Sequence, residues 1–303
     1  MRRLSEEQQR VVESEDSLVV VAGPGSGKTR VLTEKARHLM HKGASILCLC
    51  FTRSAAKEMA ERVPMLPATT IHSFCCGTVG WNEDWGYKGL LFRFAQFEKD
   101  KSRFDWILLD ECQDVNATEI DVVTSLVEKK LFAVGDPYQS IYGFQNAMGA
   151  KAIKYLTHWG CKVEELKDNY RSSPEIVSRL NKIYNRGLIS KGIKDTSLTA
   201  ILCRRNDDVF YVSKELKSKG IPHKVRLSAE VSQNREFDVI DESDLRVMTI
   251  HCAKGHEFDR VILFDWYPDA LKEEMRVYYV AMSRASKQFI EVNSIEDIMF
   301  ELG

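Results

Sequence analysis

Residues 19–32, VVVAGPGSGKTRVL, place a glycine-rich loop between an apolar segment and a helix-forming segment. Residues 22–29 fit the P-loop pattern, with alanine in place of the usual first glycine. In such a loop, backbone N–H groups and the N-terminus of the following helix surround the phosphates of a nucleotide. The strand before the loop and the helix after it disfavour the alternative, a tight turn with an incidental lysine. The sequence therefore predicts a nucleotide-binding α/β domain.

The positions of this loop have distinct expected roles. Lys28 would neutralise the β and γ phosphates, and the Thr29 hydroxyl would bind Mg²⁺. Gly25 and Gly27 let the backbone close around the phosphates. We therefore expect ATP and Mg²⁺ as ligands. The residues expected to hold the nucleotide are Ala22, Gly23, Pro24, Gly25, Ser26, Gly27, Lys28 and Thr29.

A second acidic site is predicted in residues 106–114, WILLDECQD. Asp110 and Glu111 directly follow four apolar residues that are typical of a buried strand. Ligands of parallel α/β sheets collect at the C-terminal ends of the strands. We expect Asp110 to hold Mg²⁺, directly or through water, and Glu111 to orient and deprotonate the attacking water. The alternative is a solvated turn, which the adjacent apolar run disfavours.

Composition narrows the class of protein. In 303 residues, 44% hydrophobic and 29% charged side chains are typical of globular domains, either one large domain or two ordinary ones. No apolar run has the length of a membrane span, and the first ten residues lack the apolar core of a signal peptide. We therefore expect a cytoplasmic protein without a membrane partner. The net charge of −1 still allows a local basic groove.

The eight cysteines contain no C-x-x-C pair. The nearest approach to a metal cluster is His72, Cys75 and Cys76, and no matching second pair accompanies it. Reduced thiols are therefore favoured over a zinc site.

Short β-rich segments alternate with helical patterns, which favours an α/β fold with parallel sheets flanked by helices. The domain boundary is expected near Lys162, giving domains of residues 1–162 and 163–303. Residues 77–89, rich in glycine and tryptophan, and the polar residues 226–243 are expected to be loops or small insertions. The strand candidates are residues 17–22, 45–51, 103–110, 130–136, 197–204, 244–251, 260–266 and 287–293.

A family resemblance covers residues 4 to about 285. After the P-loop the chain contains, in order, DECQD, GDPYQSIYGF, NYRS, TIHCAKGHEF and VYYVAMSRA. These segments resemble the ordered motifs of the UvrD/Rep/PcrA type of superfamily 1 DNA helicases. The resemblance implies two RecA-like P-loop lobes, each a mostly parallel sheet flanked by helices. It also implies ATP hydrolysis in the cleft between the lobes, coupled to movement on DNA.

The resemblance assigns contacts to the base and the ribose of ATP. Gln8 matches a glutamine that reads the adenine, and a carboxamide suits the N6 and N7 edge of that base. Tyr170 resembles the aromatic residue that stacks on the adenine. Arg30 stands where the family has an arginine near the base, and Glu257 corresponds to a residue near the ribose.

Three further residues resemble those that reach the γ-phosphate. Gln139 matches a glutamine of the first lobe, and Arg171 and Arg284 match two arginines of the second lobe. An arginine that stabilises the transition state contributes on the order of 10³–10⁵ in rate. Together with Lys28 and Glu111, these residues are the expected catalytic set. The alternative for either arginine is an ordinary ion pair.

The resemblance also implies contacts to single-stranded DNA through aromatic and polar side chains, and base stacking is worth about 1–3 kcal/mol per base. The usual tryptophan–arginine pair is here Phe144–Gln145, and Arg53 replaces a commoner asparagine. Core packing is the alternative, most of all for Phe51. The expected DNA-binding residues are Phe51, Thr52, Arg53, His72, Ser73, Tyr142, Phe144, Thr249 and His251.

The accessory domains common in the family are expected to be truncated or absent, because short segments join the motifs here. The resemblance implies an ATP-dependent translocase and helicase that moves 3′ to 5′ on single-stranded DNA and acts on tailed or forked duplexes. One alternative is a DNA-stimulated ATPase that unwinds poorly without a replication or repair partner protein. Another is a regulatory ATP-binding module that recruits such proteins, which the complete set of expected catalytic residues disfavours.

Overall fold

The computed structural model describes residues 3–97, 104–227, 243–266 and 272–303. The chain divides into two compact units, Met1–Leu166 and Lys167–Gly303. Each unit contains a parallel sheet flanked by helices, as the sequence predicts for RecA-like lobes. Within the described ranges, no helix combines the length and the apolar character that crossing a membrane requires.

The first unit contains a six-stranded sheet in the order β3-β2-β4-β5-β1-β6. All of its strand pairs are parallel. The strands are β1 Leu18–Ala22, β2 Ile46–Cys50, β3 Ala68–Thr70, β4 Phe104–Leu109, β5 Val127–Gly135 and β6 Lys162–Leu166.

Helices α1, α3, α4 and α6 of the first unit begin at side-chain caps, which include the capping boxes of Ser5 with Gln8 and of Asn116 with Glu119. Short 3-10 helices cover Glu83–Trp85, Cys112–Asp114, Pro137–Gln139 and Gly143–Gln145. The described α-helices are α1 Glu6–Glu13, α2 Lys28–His41, α3 Arg53–Arg62, α4 Ile71–Val79, α5 Gly86–Phe97, α6 Ala117–Ser125 and α7 Ala150–Trp159.

The first sheet is apolar on both faces. Ile107 and Leu109 of β4 lie in one hydrophobic core, and Leu108 lies in the other. Successive side chains of a strand point to opposite faces, so a strand covered on both sides is a continuous apolar run. This explains why WILL precedes the acidic pair of residues.

The second unit contains a five-stranded sheet in the order β10-β11-β9-β12-β13, with all pairs parallel. A separate two-stranded sheet pairs β7 Asp168–Asn169 with β8 Ile189–Ser190. The larger sheet consists of β9 Thr199–Cys203, β10 Lys224–Arg226, β11 Leu245–Thr249, β12 Phe258–Phe264 and β13 Ala285–Val292. The described helices are α8 Pro174–Ile183, α9 Asn206–Ser218, α10 Ile250–Ala253, α11 Lys272–Ser283 and α12 Ile295–Leu302.

The eight predicted strands are all present. The short strands β3 and β6 at the edges of the first sheet have no counterpart among the predictions. The division between the units falls after Leu166 rather than after residue 162, because β6 pairs with β1 throughout Lys162–Leu166.

The prediction of a loop for residues 77–89 is wrong. Helix α4 continues to Val79, a 3-10 helix covers Glu83–Trp85, and α5 begins at Gly86. The reason is tertiary packing: Leu90, Leu91 and Phe94 of α5 are buried in the hydrophobic core that contains Ile107 and Leu109, called the first core below. Residues 228–242 of the second predicted loop lie outside the described residues.

Candidate functional site

The phosphate loop joins β1 to α2, as predicted. Gly25 and Gly27 have positive φ angles of 68° and 85°, which glycine adopts without steric cost. The Ser26 hydroxyl donates a 2.7 Å hydrogen bond to the carbonyl oxygen of Gly23, and so fixes the turn. Gly27 precedes α2 and has no side chain to bond the first N–H groups of that helix. This geometry suits the binding of an anion by backbone N–H groups.

Gln8 lies against the phosphate loop and is only 2% exposed. Its Nε2 donates a 2.8 Å hydrogen bond to the carbonyl oxygen of Ser26, and its Oε1 accepts one from the N–H of Ser5. A Cβ atom on Gly27 would lie 2.9 Å from Gln8 Nε2. The side chain expected to read the base therefore also supports the loop expected to hold the phosphates.

Asp110 and Glu111 occupy the C-terminal end of β4. Asp110 is buried, and its Oδ1 accepts a 3.0 Å hydrogen bond from the N–H of Glu111. Burial raises the pKa of Asp110 to about 7; the Glu111 carboxylate acts in the same direction, and Lys28 opposes it. Glu111 adopts a left-handed backbone conformation, with φ of 48°. Such a conformation is uncommon outside glycine and often marks a functional position.

The residues at this end of the sheet fit Mg²⁺. A buried carboxylate that is costly to ionise is stabilised by an adjacent cation. Mg²⁺ needs only one or two protein oxygens when nucleotide phosphates and water complete its coordination, which suits Asp110 with Thr29. Among the residues that the structure describes, no three His, Cys, Asp or Glu side chains are grouped to hold a metal.

Gln113 is a buried residue for which the sequence alone predicts no role, although it lies within the DECQD motif. Its Nε2 donates to Glu111 Oε2 at 2.7 Å and to Asp114 Oδ2 at 3.0 Å. Its Oε1 accepts a 2.9 Å hydrogen bond from the N–H of Asp136. The only signal in the sequence is a polar residue two positions after the expected base.

Gln139 lies in the same buried network. Its Nε2 donates a 2.6 Å hydrogen bond to Asp136 Oδ2, and both side chains are buried. Because the N–H of Asp136 bonds Gln113, hydrogen bonds run continuously from Glu111 through Gln113 and Asp136 to Gln139. The structure thus brings together the expected base and the residue expected to contact the γ-phosphate.

Three aromatic rings of the first unit form a row. The ring centroids of Phe51 and Tyr142 are 5.2 Å apart, and those of Tyr142 and Phe144 are 6.0 Å apart. Phe144 is 68% exposed, whereas the other two rings are half-buried. Beside this row, Thr52 caps α3 through the N–H of Ala55, and Arg53 is exposed. The predicted DNA-stacking residues therefore lie together on one unit.

A cavity of about 250 Å³ adjoins this row. The His72 ring stands 5.3 Å from the rings of both Trp81 and Tyr87. Ser73 lies next to it and accepts a 2.9 Å hydrogen bond from the hydroxyl of Thr70. The lining residues include Phe51, Arg53, Thr70, His72, Tyr87 and Glu119.

In the second unit, Arg171 and Glu257 form an ion pair of limited exposure. Arg171 Nη2 and Nε donate to Glu257 Oε1 at 2.6 and 3.0 Å. Burial alone would raise the pKa of Glu257, but Arg171 and Lys194 outweigh it and hold the pKa at about 2. The Tyr170 hydroxyl donates a 3.0 Å hydrogen bond to Asp168 Oδ2.

The remaining predicted residues of the second unit are placed by α10 and α11. Arg284 is 3% exposed, and its Nη2 donates a 2.8 Å hydrogen bond to the Ser283 hydroxyl. Thr249 caps α10 by accepting a hydrogen bond from the N–H of Cys252, and His251 lies half-buried in that helix.

Comparison with known proteins agrees with these motifs. Residues 6–145 match a family model described as an AAA domain, and residues 226–293 match the UvrD-like helicase C-terminal domain. A probable DNA helicase II homologue of Rickettsia conorii is 45% identical over 59% of this chain and 44% of its own length. A protein named as a putative ATP-dependent DNA helicase of Acanthamoeba polyphaga mimivirus is 26% identical over 96% of this chain and 53% of its own.

Solved structures show the same fold. The Pif1 helicase of Candida albicans superposes with a TM-score of 0.61 at 14% identity and covers 100% of both chains. A Bacteroides Pif1 helicase in complex with ADP-AlF3 and ssDNA gives a TM-score of 0.55 at 15% identity, over 100% of this chain and 97% of the other. The chain spans about half the length, or less, of the curated relatives that it matches. The two family matches and these relatives support a UvrD-like superfamily 1 helicase.

Proposed function

We propose that this chain is an ATP-dependent translocase and helicase that moves 3′ to 5′ on single-stranded DNA. One observation carries the proposal: a phosphate loop, the acidic pair of buried Asp110 and half-buried Glu111, and a row of stackable aromatic rings all belong to the first unit. The hydrogen bonds from Glu111 to Gln139 end three residues before Tyr142. A nucleotide site and a DNA-binding surface that lie so close together suit a protein that couples ATP hydrolysis to movement on DNA.

The first unit would bind ATP and position the attacking water. Backbone N–H groups of the loop and Lys28 would hold the phosphates, while Thr29 and Asp110 would hold Mg²⁺. The metal would supply charge neutralisation of the phosphates. Glu111 would accept the proton of the water, and its contact with Gln113 would limit the directions that its carboxylate can adopt.

The second unit would complete the nucleotide contacts. The proposal assigns Tyr170 to the base, Glu257 to the ribose, and Arg171 and Arg284 to the γ-phosphate. For Glu257 and Arg284, it is supported by the match of residues 226–293 to the UvrD-like C-terminal domain. Because these groups are divided between two units, ATP hydrolysis would require both units. This requirement would couple hydrolysis to movement of the units and so to movement on DNA.

The first unit would bind single-stranded DNA by stacking bases on Phe51, Tyr142 and Phe144. Exposed Arg53 would add a phosphate contact. In support, the similar fold of a Bacteroides Pif1 helicase has been solved with ADP-AlF3 and ssDNA. The contacts assigned to Thr249 and His251 would come from the second unit. Stacking does not distinguish bases, so binding should be largely independent of sequence.

A second candidate function is a DNA-stimulated ATPase that translocates but unwinds poorly without a partner protein. The observation that favours it is the short connection from α4 to β4. Between these elements the described residues contain only the Glu83–Trp85 helix and α5. A duplex-splitting element formed by the described residues of this connection would be small, and a replication or repair protein could supply a larger one.

The test is ATP hydrolysis with and without single-stranded DNA, followed by unwinding of duplexes with 3′ or 5′ tails. We expect DNA to stimulate hydrolysis, and unwinding to require a 3′ tail. A rate of ATP hydrolysis that DNA does not change would refute the proposed translocase activity. Stimulated hydrolysis without unwinding would favour the second candidate, and unwinding only from 5′ tails would reverse the direction.

A further inference from the structure

Gln113 holds the segment that carries Tyr142 and Phe144, two of the three aromatic rings of the row. This segment, residues 136–149, is called the aromatic loop below. At its start the N–H of Asp136 donates to Gln113 Oε1 at 2.9 Å, and at its end the N–H of Gly149 donates to the Gln113 carbonyl oxygen at 2.9 Å. Between them, the Ser140 hydroxyl donates to the same carbonyl at 3.3 Å. One residue thus binds both ends of the loop and a point between them.

The same side chain contacts the expected base. Gln113 Nε2 donates to Glu111 Oε2 at 2.7 Å and to Asp114 Oδ2 at 3.0 Å, while Oε1 accepts from Asp136. Gln113 is completely buried, and a Cβ atom on Gly135 would lie 2.4 Å from its Oε1. A buried amide that bonds at both ends, in a site this tightly packed, has one orientation. Displacement of the aromatic loop therefore changes the hydrogen bond that orients Glu111.

We propose that Gln113 is a positioning residue that couples DNA stacked on the aromatic loop to the direction of the Glu111 carboxylate. The inference rests on the proposed function and adds to it the residue that makes hydrolysis respond to DNA. Base stacking on Tyr142 and Phe144 favours one conformation of the aromatic loop. The three hydrogen bonds between the loop and Gln113 then set the position of Gln113. Hydrogen bonds weaken steeply with angle, so a small shift at Gln113 is enough to redirect the base.

The decisive variant is Gln113→Glu. A glutamate keeps the length of the side chain and the oxygen that accepts from the N–H of Asp136. It replaces the two N–H donors to Glu111 and Asp114 by one O–H when protonated and by none when ionised, and it places a third acidic group beside them. Loss of a hydrogen bond to a charged group should lower the ratio of DNA-stimulated to DNA-independent rate by about ten- to a hundredfold.

Two further readouts separate coupling from a general structural effect. The KM for ATP and the Kd for a single-stranded oligonucleotide should stay within about threefold of the wild type, because Gln113 would touch neither ligand. Gln96→Glu, on the exposed face of α5, is the matched control and should leave all of these values unchanged.

The outcomes are distinguishable. A wild-type ATPase rate that single-stranded DNA does not change would overturn both this proposal and the proposed function. Stimulation retained in Gln113→Glu, or an equal fall of both rates, would overturn the coupling alone. Where the buried charge prevents folding, Gln113→Met keeps the side-chain length without polar atoms and is judged by the same ratio. Loss of cooperative thermal unfolding in both variants would make Gln113 purely structural and overturn the coupling.

Discussion

Arg171 and Glu257, which the family resemblance assigns to the γ-phosphate and to the ribose of one nucleotide, are partners in the structure. Two nitrogens of the Arg171 guanidinium donate to a single oxygen of Glu257, and its Nη1 donates a 2.8 Å hydrogen bond to the carbonyl oxygen of Ser283. If each residue is to contact ATP, the ion pair must be exchanged for contacts with the γ-phosphate and the ribose. With those contacts, the pair would link nucleotide binding to the stability of the second unit.

This ion pair gives a prediction for pH-dependent stability. The pKa of Glu257 in the folded chain, about 2, lies below its ordinary value of 4.5. Its contribution is therefore present above about pH 4.5 and is lost as the pH falls towards 2. Glu257→Gln should lower the free energy of unfolding by about 1–3 kcal/mol at neutral pH, and by less at about pH 3.5. Urea unfolding at both pH values measures this.

The control for this measurement is Glu291→Gln. Glu291 pairs with Arg179 at 2.9 Å, but its side chain is 43% exposed. Such pairs contribute about 0–1 kcal/mol, so little change is expected. An equal effect of the two variants, or a Glu257→Gln effect that does not depend on pH, would contradict the assigned role of burial and charge.

The second prediction concerns hydrolysis. Glu111→Gln keeps the shape of the side chain but removes the base, so turnover should fall by at least about 10² while ATP binding persists. The exposed Glu128→Gln on β5 is the control. Steady-state ATPase assays and binding of a fluorescent ATP analogue measure the two properties. Normal turnover in Glu111→Gln would show that the base lies elsewhere.

Much of this site was predictable because its signals are local. The apolar strand before Asp110 and the glycines of the phosphate loop are contiguous in sequence, and the parallel fold then places them at one end of the sheet. The role of Gln113 was not predictable in this way. Its bond to Asp136 spans 23 residues, and its carbonyl also bonds Gly149. Such contacts depend on which strands are neighbours, a property that no local pattern contains.

The conformation of helix α5 was likewise not predictable from the local sequence. Gly86 and Gly89 have low helix propensity and, together with the tryptophans, suggested a loop. Burial of Leu90, Leu91 and Phe94 decides the conformation instead. Tertiary packing commonly overrides propensity when an apolar face is available.

The third prediction tests the aromatic row. Phe144→Ala should weaken binding of single-stranded DNA by about 1–3 kcal/mol, because one stacking surface is lost. Since Phe144 is 68% exposed, its removal should leave the melting temperature unchanged. Phe300→Ala is the matched control, because Phe300 is 84% exposed in the second unit. Fluorescence anisotropy with a labelled oligonucleotide measures the affinity; equal affinities for all three proteins would remove Phe144 from the DNA surface.

The last prediction concerns a duplex-splitting element between α4 and α5. Trp81 and Trp85 lie in this connection and Tyr87 lies in the first turn of α5, and the structure separates the roles of Trp81 and Tyr87. The Tyr87 hydroxyl donates to the buried Glu119 carboxylate, and its ring packs against the first core. Burial and Glu119 raise the pKa of Tyr87, so the hydroxyl stays protonated and continues to donate. Tyr87→Phe should therefore lower stability by about 1–3 kcal/mol.

Trp81 is 50% exposed and contacts the His72 ring at its edge, so it is the residue available to meet a duplex. Trp81→Ala should lower the number of base pairs opened per ATP hydrolysed while DNA-stimulated ATPase and melting temperature stay near those of the wild type. Trp159→Ala, at the end of α7 and 39% exposed, is the matched control. Unwinding of a 3′-tailed duplex and ATPase are measured in the same reaction, so that slower stepping is not mistaken for weaker strand separation. Undiminished unwinding by a stable Trp81→Ala protein would exclude Trp81 as the splitting element. A parallel fall in ATPase would instead assign Trp81 to the binding of the single strand beside His72.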